Sequence, residues 1–355
     1  MKLVLAPMAT LTHAALRSTI ARFGGCDEYY TEMIQAGTLL TNGPFEKYYL
    51  LTNPEPHKIV WQITGGRIPA MVEAARLLAG MEGIGVDINM GCCAPDIVRS
   101  GAGIAWMLKE RRETEELVEQ VGAVVRGAGK RFSVKLRLGD EDFTEASFFS
   151  FVDMLAQRGV QQITLHPRTR KEKYRRPPRL HYVGQLVRYI EEKGYAIQVV
   201  LNGNVQDGES ARRAMAQSPG IAGIMIGRAA AQKPWVFRQI AQTLGRDAGR
   251  EEDWLEPFTV DLLETGCHFV QELQKFQPQE FYKTRLQRFF AFYSDNVQFA
   301  HHLRTRLLNH PTPEGCIQRL EDYFALSPQE RFKEERPPHK GCEGTDGILR
   351  QEEPQ

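Results

Sequence analysis

The fold is decided around residues 86–105, which read VDINMGCCAPDIVRSGAGIA. The segment opens with a short apolar run interrupted only by Asp87, a pattern typical of a strand buried in a parallel sheet. Two adjacent thiols, Cys92 and Cys93, follow that strand. In parallel α/β proteins the chemistry collects at the C-terminal ends of the strands. The segment therefore predicts a strand, a functional loop and then a helix.

The composition is that of a globular protein: 355 residues, 42% hydrophobic and 25% charged. Such a length predicts one domain of about 250 residues and a smaller one. The net charge is +1, so binding to nucleic acid must come from local patches. No apolar run approaches the ~20 residues that span a membrane, and the N-terminal apolar stretch is too short for a signal peptide. Six irregularly spaced cysteines predict free thiols in a reducing, cytoplasmic setting. No protein partner is implied, so we expect a monomer.

A strand followed by a helix recurs along the first 245 residues. Predicted strands lie at 2–5, 28–33, 59–63, 86–88, 132–136, 162–166, 196–201 and 223–226. Predicted helices lie at 13–23, 69–80, 104–126, 144–158, 182–193, 208–216 and from 231 onward. Eight such units are what a closed (β/α)8 barrel, the TIM barrel, requires. A doubly wound sheet is the alternative, but it rarely needs eight units.

Beyond residue 250 the strand patterns give way to amphipathic helical patterns. This change predicts a small, all-helical C-terminal domain at 250–328 after an α/β TIM barrel at 1–245. Residues 331–355 are rich in Glu, Lys and Pro and almost lack apolar side chains. Such a segment cannot bury enough apolar surface to offset the entropy of ordering, so we expect a disordered polar tail.

Polar residues or glycines stand at nearly every predicted strand end. They are Met8, Gln62, Asn89, Cys92, Lys135, His166, Asn202, Gly203, Asn204, Gly227 and Arg228. Taken singly, each is explained as well by a satisfied polar side chain or a turn glycine. Taken together, they predict a pocket at the C-terminal face of the barrel.

The last two strand ends suit a phosphate group. Barrels commonly bind phosphate after strands seven and eight, where residues 202–204 and 227–228 lie. Glycine lets backbone N–H groups approach an anion, and Arg228 adds a bidentate donor. Gln62 and Lys135 supply an amide and a cation that suit the pyrimidine edge of a flavin. Lys135 alone is equally explained as a buried salt-bridge partner.

Cys92 is placed to act on a ligand that lies across the strand ends. A thiol beside a flavin can serve as a general acid, giving a proton to the carbon next to the one that accepts hydride. The alternative is a small, buried, apolar cysteine. Adjacent cysteines rarely chelate one ion, and neither a histidine nor a CxxC motif accompanies Cys92 and Cys93, so we expect no metal.

Two segments concentrate positive charge. Residues 166–180 hold seven Lys or Arg and one Glu, in a loop after a barrel strand. Residues 281–310 hold five Lys or Arg and one acid, interleaved with aromatic side chains. A run of charged residues usually forms a solvent-exposed face with no binding role. Here one run rims the predicted pocket and the other lies on the added helical domain, so together they predict a polyanion laid across the face.

Eight segments resemble the tRNA-dihydrouridine synthases, flavoenzymes that reduce uridine in tRNA. They are APMATLTHAALR, TEM, WQITGG, DINMGCCAP, VKLRLG, LHPRTR, NGNV and IGR, in the family's order over residues 1–240. The helical domain after residue 250 fits the family's tRNA-binding domain more loosely. The resemblance implies an FMN-dependent TIM barrel that reduces specific uridines to 5,6-dihydrouridine, with NADPH reducing the flavin.

The resemblance also implies roles for single residues. Cys92 would give a proton to uracil C5 while hydride passes from flavin N5 to C6, and Asn89 would lie beside the target base. FMN would be held by Ala6, Pro7, Met8, Gln62, Lys135, His166, Asn202, Gly203, Asn204, Gly227 and Arg228. From the basic segments we expect tRNA contacts by Arg168, Arg170, Lys283, Arg304 and Arg306. The uridine must flip out of the tRNA to reach the flavin, which accounts for the basic rim.

Three positions depart from the family pattern. Cys93 stands where the family usually has proline and adds a rival proton donor. Asp96 stands where it often has lysine and places an anion near the expected RNA path. His13 stands where it typically has aspartate. Two alternatives therefore stay open: an FMN barrel oxidoreductase acting on a small molecule, such as a dihydroorotate dehydrogenase relative, and an RNA-binding protein with an inactive site.

Overall fold

The computed structural model describes residues 1–140, 143–172, 176–245, 256–309 and 311–335. The strands are β1 (Lys2–Leu5), β2 (Glu28–Tyr30), β3 (Ile34–Gln35), β4 (Ile59–Thr64), β5 (Gly85–Met90), β6 (Arg131–Arg137), β7 (Gln162–His166), β8 (Gln198–Asn202), β9 (Gly223–Ile226), β10 (Phe258–Asp261) and β11 (Phe332–Glu335).

Helices follow most barrel strands and fill the C-terminal region. They are α1 (Ala14–Ala21), α2 (Ala36–Leu40), α3 (Glu46–Tyr49), α4 (Ile68–Ala79), α5 (Pro95–Arg99), α6 (Ala105–Leu108), α7 (Arg111–Gly127), α8 (Glu145–Gln157), α9 (His181–Glu192), α10 (Gly208–Gln217), α11 (Arg228–Gln232), α12 (Val236–Thr243), α13 (Leu262–Phe276), α14 (Gln279–Tyr293), α15 (Ala300–Asn309) and α16 (Pro313–Leu326). Short 3₁₀ helices lie at Pro56–Lys58, Ser294–Asn296 and Pro328–Glu330.

Parallel pairing closes the sheet into a barrel. Strand β1 pairs with both β2 and β9, β2 pairs with β4, and β4 to β9 pair in chain order. Parallel neighbours need a crossover connection, which the surrounding helices supply. The predicted TIM barrel is thus confirmed.

The second strand position is split by a bulge. Tyr30 pairs with Val60 and Ile34 pairs with Ile63. The segment from β2 to β3 therefore contains one more residue than the segment of β4 that it faces. The prediction of one unbroken strand at 28–33 misses this break. The bulge turns Glu32 away from the sheet ladder and makes its carboxylate available to other elements.

The interior of the barrel is apolar in its middle and closed at its N-terminal end. One buried cluster contains Val4, Ala6, Tyr30, Val60, Val200 and Met225. At the N-terminal ends of the strands, Glu28 pairs with Lys2 (2.8 Å) and Arg131 (2.6 Å). A second, larger core lies between the strands and the helices, where the indole rings of Trp61 and Trp106 are buried. The ion pairs of Glu28 close the N-terminal end, which leaves the C-terminal end of the barrel for a ligand.

The helical region predicted after residue 250 is present as α13–α16. Helix α13 packs against α1 and α14 packs against α11, which seats the region on the barrel's outer helices. Its core includes Phe269 and Phe289, stacked with their ring centroids 3.6 Å apart. A two-stranded antiparallel sheet, β10 with β11, accompanies these helices and has no counterpart in the predicted pattern.

The prediction of a disordered tail is wrong for its first residues. Phe332–Glu335 form β11, and the buried Glu335 accepts hydrogen bonds from Trp235 Nε1 (2.8 Å) and Gln239 Nε2 (2.6 Å). A polar composition shows that a segment cannot build its own core, but it does not reveal partners distant in sequence. The rest of that predicted tail, 336–355, lies outside the described residues.

The predicted helix at 104–126 is two helices, α6 and α7. Lys109 is extended between them, and the Trp106 carbonyl accepts the hydroxyl of Thr114 (2.7 Å) instead of continuing one helix. Among the described helices, none is long and apolar enough to cross a membrane.

Candidate active site

The predicted pocket residues lie together at the C-terminal end of the barrel. They come from consecutive strands: Gln62 on β4, Asn89 on β5, Lys135 on β6, His166 on β7 and Asn202 on β8. Side chains alternate along a strand, so residues two apart share a face. Gln62 and Asn202 thus face inward above Val60 and Val200 of the interior cluster. One barrel end therefore collects amide, amine and imidazole groups.

A chain of buried hydrogen bonds orders these amides. The two carboxylate oxygens of Asp87 accept from Ser133 Oγ (2.7 Å) and Gln62 Nε2 (2.7 Å). The other end of the same amide, Gln62 Oε1, accepts from Asn89 Nδ2 (2.9 Å). Gln62 is fully buried and Asn89 is 6% exposed, so this chain lies just beneath the open end of the barrel.

The loop that carries Cys92 is fixed on both sides of that residue. Asn89 Oδ1 accepts the backbone N–H groups of Gly91 (3.2 Å) and Cys92 (2.9 Å). The Cys92 carbonyl accepts the N–H of Ile104 (2.9 Å). Gly103, with φ +62°, approaches so closely that an added Cβ would lie 2.5 Å from this carbonyl oxygen. Because the Asn89 oxygen already accepts two bonds and one Asn89 N–H donates to Gln62, only the second N–H remains for a ligand.

The Cys92 thiol has the properties of a proton donor. Burial raises the pKa of Cys92, an effect that the Ala94 N–H and the charges of Arg137 and Lys135 only partly offset. The thiol therefore stays protonated at neutral pH, the form that a general acid needs. Cys92 and Cys93 are both partly exposed and both free.

Two buried titratable groups next to this loop are perturbed in opposite senses. Burial, with a smaller contribution from the charge of Arg137, lowers the pKa of Lys135 to about 8. Burial raises the pKa of Asp87 to about 6. The charged forms of both groups therefore carry a cost in the folded protein, and such costs concentrate at functional sites.

His166 is neutral and its proton position follows from its neighbour. Its Nε2 lies 2.6 Å from Arg168 Nη1, and a guanidinium only donates, so Nε2 accepts. Burial lowers the pKa of His166 well below its usual range, with Lys135 contributing. The neutral ring then carries its proton on Nδ1. Arg168 also donates to the Arg176 carbonyl (2.7 Å) and Asn204 Oδ1 (3.3 Å), so it is buried inside its loop and not at the rim.

Small residues line the opposite arc of the barrel end. Gly203 (φ +156°) and Asn204 (φ +54°) turn the chain after β8 through backbone conformations that favour these residue types. A Cβ added to Gly227, after β9, would lie 3.4 Å from Met8 Sδ and 3.6 Å from Ala6 Cβ. A side chain there would cover the surface formed by the loop after β1. Arg228 begins α11 beside this surface and is exposed.

The arginines of the two basic segments are paired within the protein. The pairs are Arg170–Asp140 (2.6 Å), Arg179–Glu172 (3.1 Å), Arg304–Asp295 and Arg306–Asp322 (3.3 Å). All four are partly exposed, and such pairs are weak and screened by salt, so a phosphate can compete for the cation. Lys283 is exposed on α14, and residues 173–175 of the first segment lie outside the described residues.

Arg137 is a site residue that the sequence analysis missed. Its Nε donates to the Gly91 carbonyl (2.9 Å), directly before Cys92, and its Nη1 to the Thr169 carbonyl (3.4 Å). The guanidinium thus joins the Cys92 loop to the basic loop after β7. The signal was present, since Arg137 shares the inward face of β6 with Lys135.

The comparison with known proteins follows this geometry. The profile of a family described as Dihydrouridine synthase (Dus) matches residues 4–324, across the barrel and the helical region. The chain belongs to the dihydrouridine synthase family. The resemblance drawn from the sequence motifs is therefore confirmed.

Named dihydrouridine synthases match a large share of the chain. A probable tRNA-dihydrouridine synthase of Rhodobacter capsulatus is 34% identical over 245 residues, 68% of this chain and 71% of that protein. The tRNA-dihydrouridine synthase B of Pseudomonas aeruginosa is 30% identical over 240 residues, 67% and 68% of the two chains. A solved complex of 2-naphthoyl-CoA reductase is 13% identical with a TM-score of 0.49, covering 69% of this chain and 50% of that one.

The departures from the dihydrouridine synthase pattern have distinct structural settings. Asp96 lies on α5 in an exposed ion pair with Arg99, so part of its charge is balanced locally. His13 is buried under the helical region with its ring 5.9 Å from that of Phe269. Burial lowers the pKa of His13 well below its usual range, and Arg285 lowers it further, so the ring is neutral.

Proposed function

We propose that this protein reduces specific uridines of tRNA to 5,6-dihydrouridine, with FMN as cofactor and NADPH as electron donor. The observation that carries the proposal is the protonated Cys92 thiol on a loop held by Asn89, at the polar end of a dihydrouridine synthase barrel. The named relatives are tRNA-dihydrouridine synthases, which supports the same reaction for this chain.

The residues at the barrel end fit FMN. Lys135 and the Nδ1–H of His166 supply donors for the carbonyl groups of a flavin, and Gln62 retains one N–H beyond its bond to Asp87. At the end of β9, Gly227 lacks a side chain that would contact Met8 and Ala6, and we place a phosphate there beside Arg228. We assign FMN binding to Ala6, Pro7, Met8, Gln62, Lys135, His166, Asn202, Gly203, Asn204, Gly227 and Arg228. When bound, FMN supplies the hydride that uracil C6 accepts.

The protein's own residues supply the proton and the orientation. Cys92 gives its proton to uracil C5, and the partly buried thiol is protonated before the reaction begins. Asn89 can offer the base only its one remaining N–H, which suits a carbonyl oxygen of uracil. Arg137 holds the Gly91 carbonyl and so keeps the loop from retreating when the base enters.

In this proposal the helical region and the basic segments bind tRNA. We propose residues 256–326 as a tRNA-binding domain, with phosphate contacts from Arg170, Lys283, Arg304 and Arg306. Arg168 acts differently, since its guanidinium is used to shape the loop after β7. A single uridine must leave the tRNA stack to reach Cys92, and a broad basic surface can offset that cost.

The proposal is tested by the reoxidation of reduced enzyme-bound flavin under anaerobic conditions. Unmodified tRNA transcript should restore the oxidised flavin spectrum, whereas orotate and a tRNA already carrying dihydrouridine should not. Reoxidation by orotate but not by tRNA would indicate the small-molecule oxidoreductase. Tight tRNA binding without reoxidation would indicate an RNA-binding protein with an inactive site.

A further inference from the structure

Asp87 is a fully buried acid inside the barrel. Its register neighbours on the adjacent strands are Gln62 of β4 and Ser133 of β6. Burying a carboxylate is costly, and the raised pKa of Asp87 reflects that cost. Both of its oxygens are nevertheless engaged, one by Ser133 and one by Gln62. An apolar side chain would fill this position at lower cost, so the carboxylate calls for a specific explanation.

A carboxylate removes the ambiguity of the amide that contacts it. A primary amide can turn over and exchange its oxygen for its nitrogen with little change in shape. An ionised carboxylate only accepts, so Gln62 must direct Nε2 toward Asp87 and Oε1 toward Asn89. Asn89 must then direct Nδ2 toward Gln62, which leaves its Oδ1 to face the N–H of Cys92. One acid therefore sets the direction of three successive hydrogen bonds.

We infer that Asp87 is a positioning residue that orients the Gln62 and Asn89 amides and thereby holds the backbone of the Cys92 loop. The loop-holding part depends only on contacts within the chain. The consequence for turnover, that Asn89 keeps its second N–H for the target base, rests on the proposed function.

The chain offers variants that separate this role from a general structural one. Asp87→Leu has a similar size and no acceptor, so it frees the Gln62 amide to turn over. Asp87→Asn keeps the size of the side chain but is itself an amide that can turn over, so it should orient the Gln62 amide less firmly than the carboxylate does. Ser133→Ala removes the other partner of Asp87 and leaves the link to Gln62 intact, which makes it the matched control. Gln62→Met breaks the same link without touching Asp87.

The readout is the rate at which iodoacetamide alkylates Cys92, followed by peptide mass spectrometry in a Cys93→Ala background. A loop without its Asn89 anchor exposes the partly buried thiol more often. Asp87→Leu and Gln62→Met should raise the rate by about fivefold, the effect of losing one typical buried hydrogen bond. Ser133→Ala should stay near the parent rate, and Asp87→Asn should lie between the parent and Asp87→Leu. With tRNA, Asp87→Leu should lower kcat and leave KM for tRNA nearly unchanged, because the phosphate contacts are remote.

The inference is overturned if folded Asp87→Leu and Gln62→Met proteins are alkylated at the parent rate, or if Ser133→Ala is as fast as Asp87→Leu. If Asp87→Leu does not fold, Gln62→Met alone decides by the same rate. An enzyme that makes no dihydrouridine but shows the expected alkylation pattern would refute the proposed function and leave the positioning role standing. An enzyme that makes dihydrouridine but shows the same alkylation rate in every variant would support the proposed function and refute the positioning role.

Discussion

Glu32 and Arg285 form a buried ion pair between the barrel and the helical region, with 2.8 Å between Oε2 and Nη1. Glu32 lies in the bulge between β2 and β3, and Arg285 lies on α14. The other carboxylate oxygen, Oε1, accepts the N–H of Thr10 (2.6 Å), which adopts φ +64° in the loop after β1. That loop also carries Met8, a proposed cofactor contact. One carboxylate thus ties the cofactor loop to the region proposed to bind tRNA.

Breaking this pair should destabilise the protein strongly. Arg285→Leu leaves Glu32 buried and uncompensated, which costs about 3–5 kcal/mol. The matched control is Arg22→Ala, because Arg22 pairs with Glu264 between α1 and α13, at an exposed part of the same junction. Removing an exposed pair costs about 1 kcal/mol or less. Urea unfolding measures the free energy of unfolding of each variant. Equal losses in the two variants would show that the buried pair stabilises the protein no more than the exposed pair does.

Replacing the proposed proton donor should stop turnover and spare flavin binding. Cys92→Ala should slow dihydrouridine formation by about 10²–10⁴-fold, the effect of losing a general acid. The flavin absorbance should remain, since Cys92 is assigned no cofactor contact. Cys93→Ala, one residue away, is the control and should keep most of the activity. If Cys93→Ala is the inactive variant, the donor has been assigned to the wrong thiol.

The pH profile of turnover should reflect the thiol. Burial raises the pKa of Cys92, and only the protonated thiol can donate, so activity should fall as pH rises through that raised pKa. The alkaline limb should therefore lie above the ordinary range of a cysteine, about 8.5. The measurement is the single-turnover rate against pH with flavin reduced beforehand. An alkaline limb below 8.5 that disappears in Cys92→Ser would contradict the raised pKa.

Lys135 should lower the stability of the apoprotein while favouring the cofactor. Burial lowers its pKa from 10.5 to about 8, so between these values the folded protein binds fewer protons than the unfolded chain. Stability should then rise with pH across that window, and Lys135→Met should be the more stable protein at pH 7. The same variant should bind FMN more weakly. Thermal unfolding of the apoprotein from pH 7 to 10 checks this, and a variant less stable at pH 7 would contradict it.

The salt dependence of tRNA binding should identify the phosphate contacts. Each cation that neutralises a phosphate contributes about 0.7–0.9 to the slope of log K against log salt. Charge reversal at Lys283, Arg304 or Arg306 should weaken binding and flatten this slope. Arg76→Glu is the control, since Arg76 forms an exposed pair with Glu73 on α4, outside both basic segments. Equal effects at Arg76 and Arg304 would remove the helical region from the tRNA surface.

The barrel and its polar end were predictable because both follow from local periodicity. The strand runs predict the eight units, and the strand ends predict a pocket that includes Gln62 and Lys135. The contacts of these side chains were not predictable. A strand pattern shows that Asp87 and Gln62 lie on neighbouring strands' inward faces, but not which end of the amide meets the acid.

Long-range partners explain the remaining differences. Glu32 and Arg285 are 253 residues apart, so neither a charge run nor a motif connects them. For the same reason the sequence shows Arg285 only as one cation of the basic segment at 281–310. The basic segment predicts Arg168 at the pocket rim, but its contacts with His166, with the Arg176 carbonyl of its own loop and with Asn204 after β8 keep it buried. Local composition shows where charged residues cluster, but it does not show which residues pair with them.

The most direct test of the central claim is the product itself. Purified protein would be incubated with NADPH and an unmodified tRNA transcript, and the digested nucleosides analysed by mass spectrometry. With the parent protein a uridine should gain two hydrogens. With Cys92→Ala no uridine should show this gain. A flavin-containing protein that oxidises NADPH and binds tRNA, yet leaves every uridine unchanged, would contradict it.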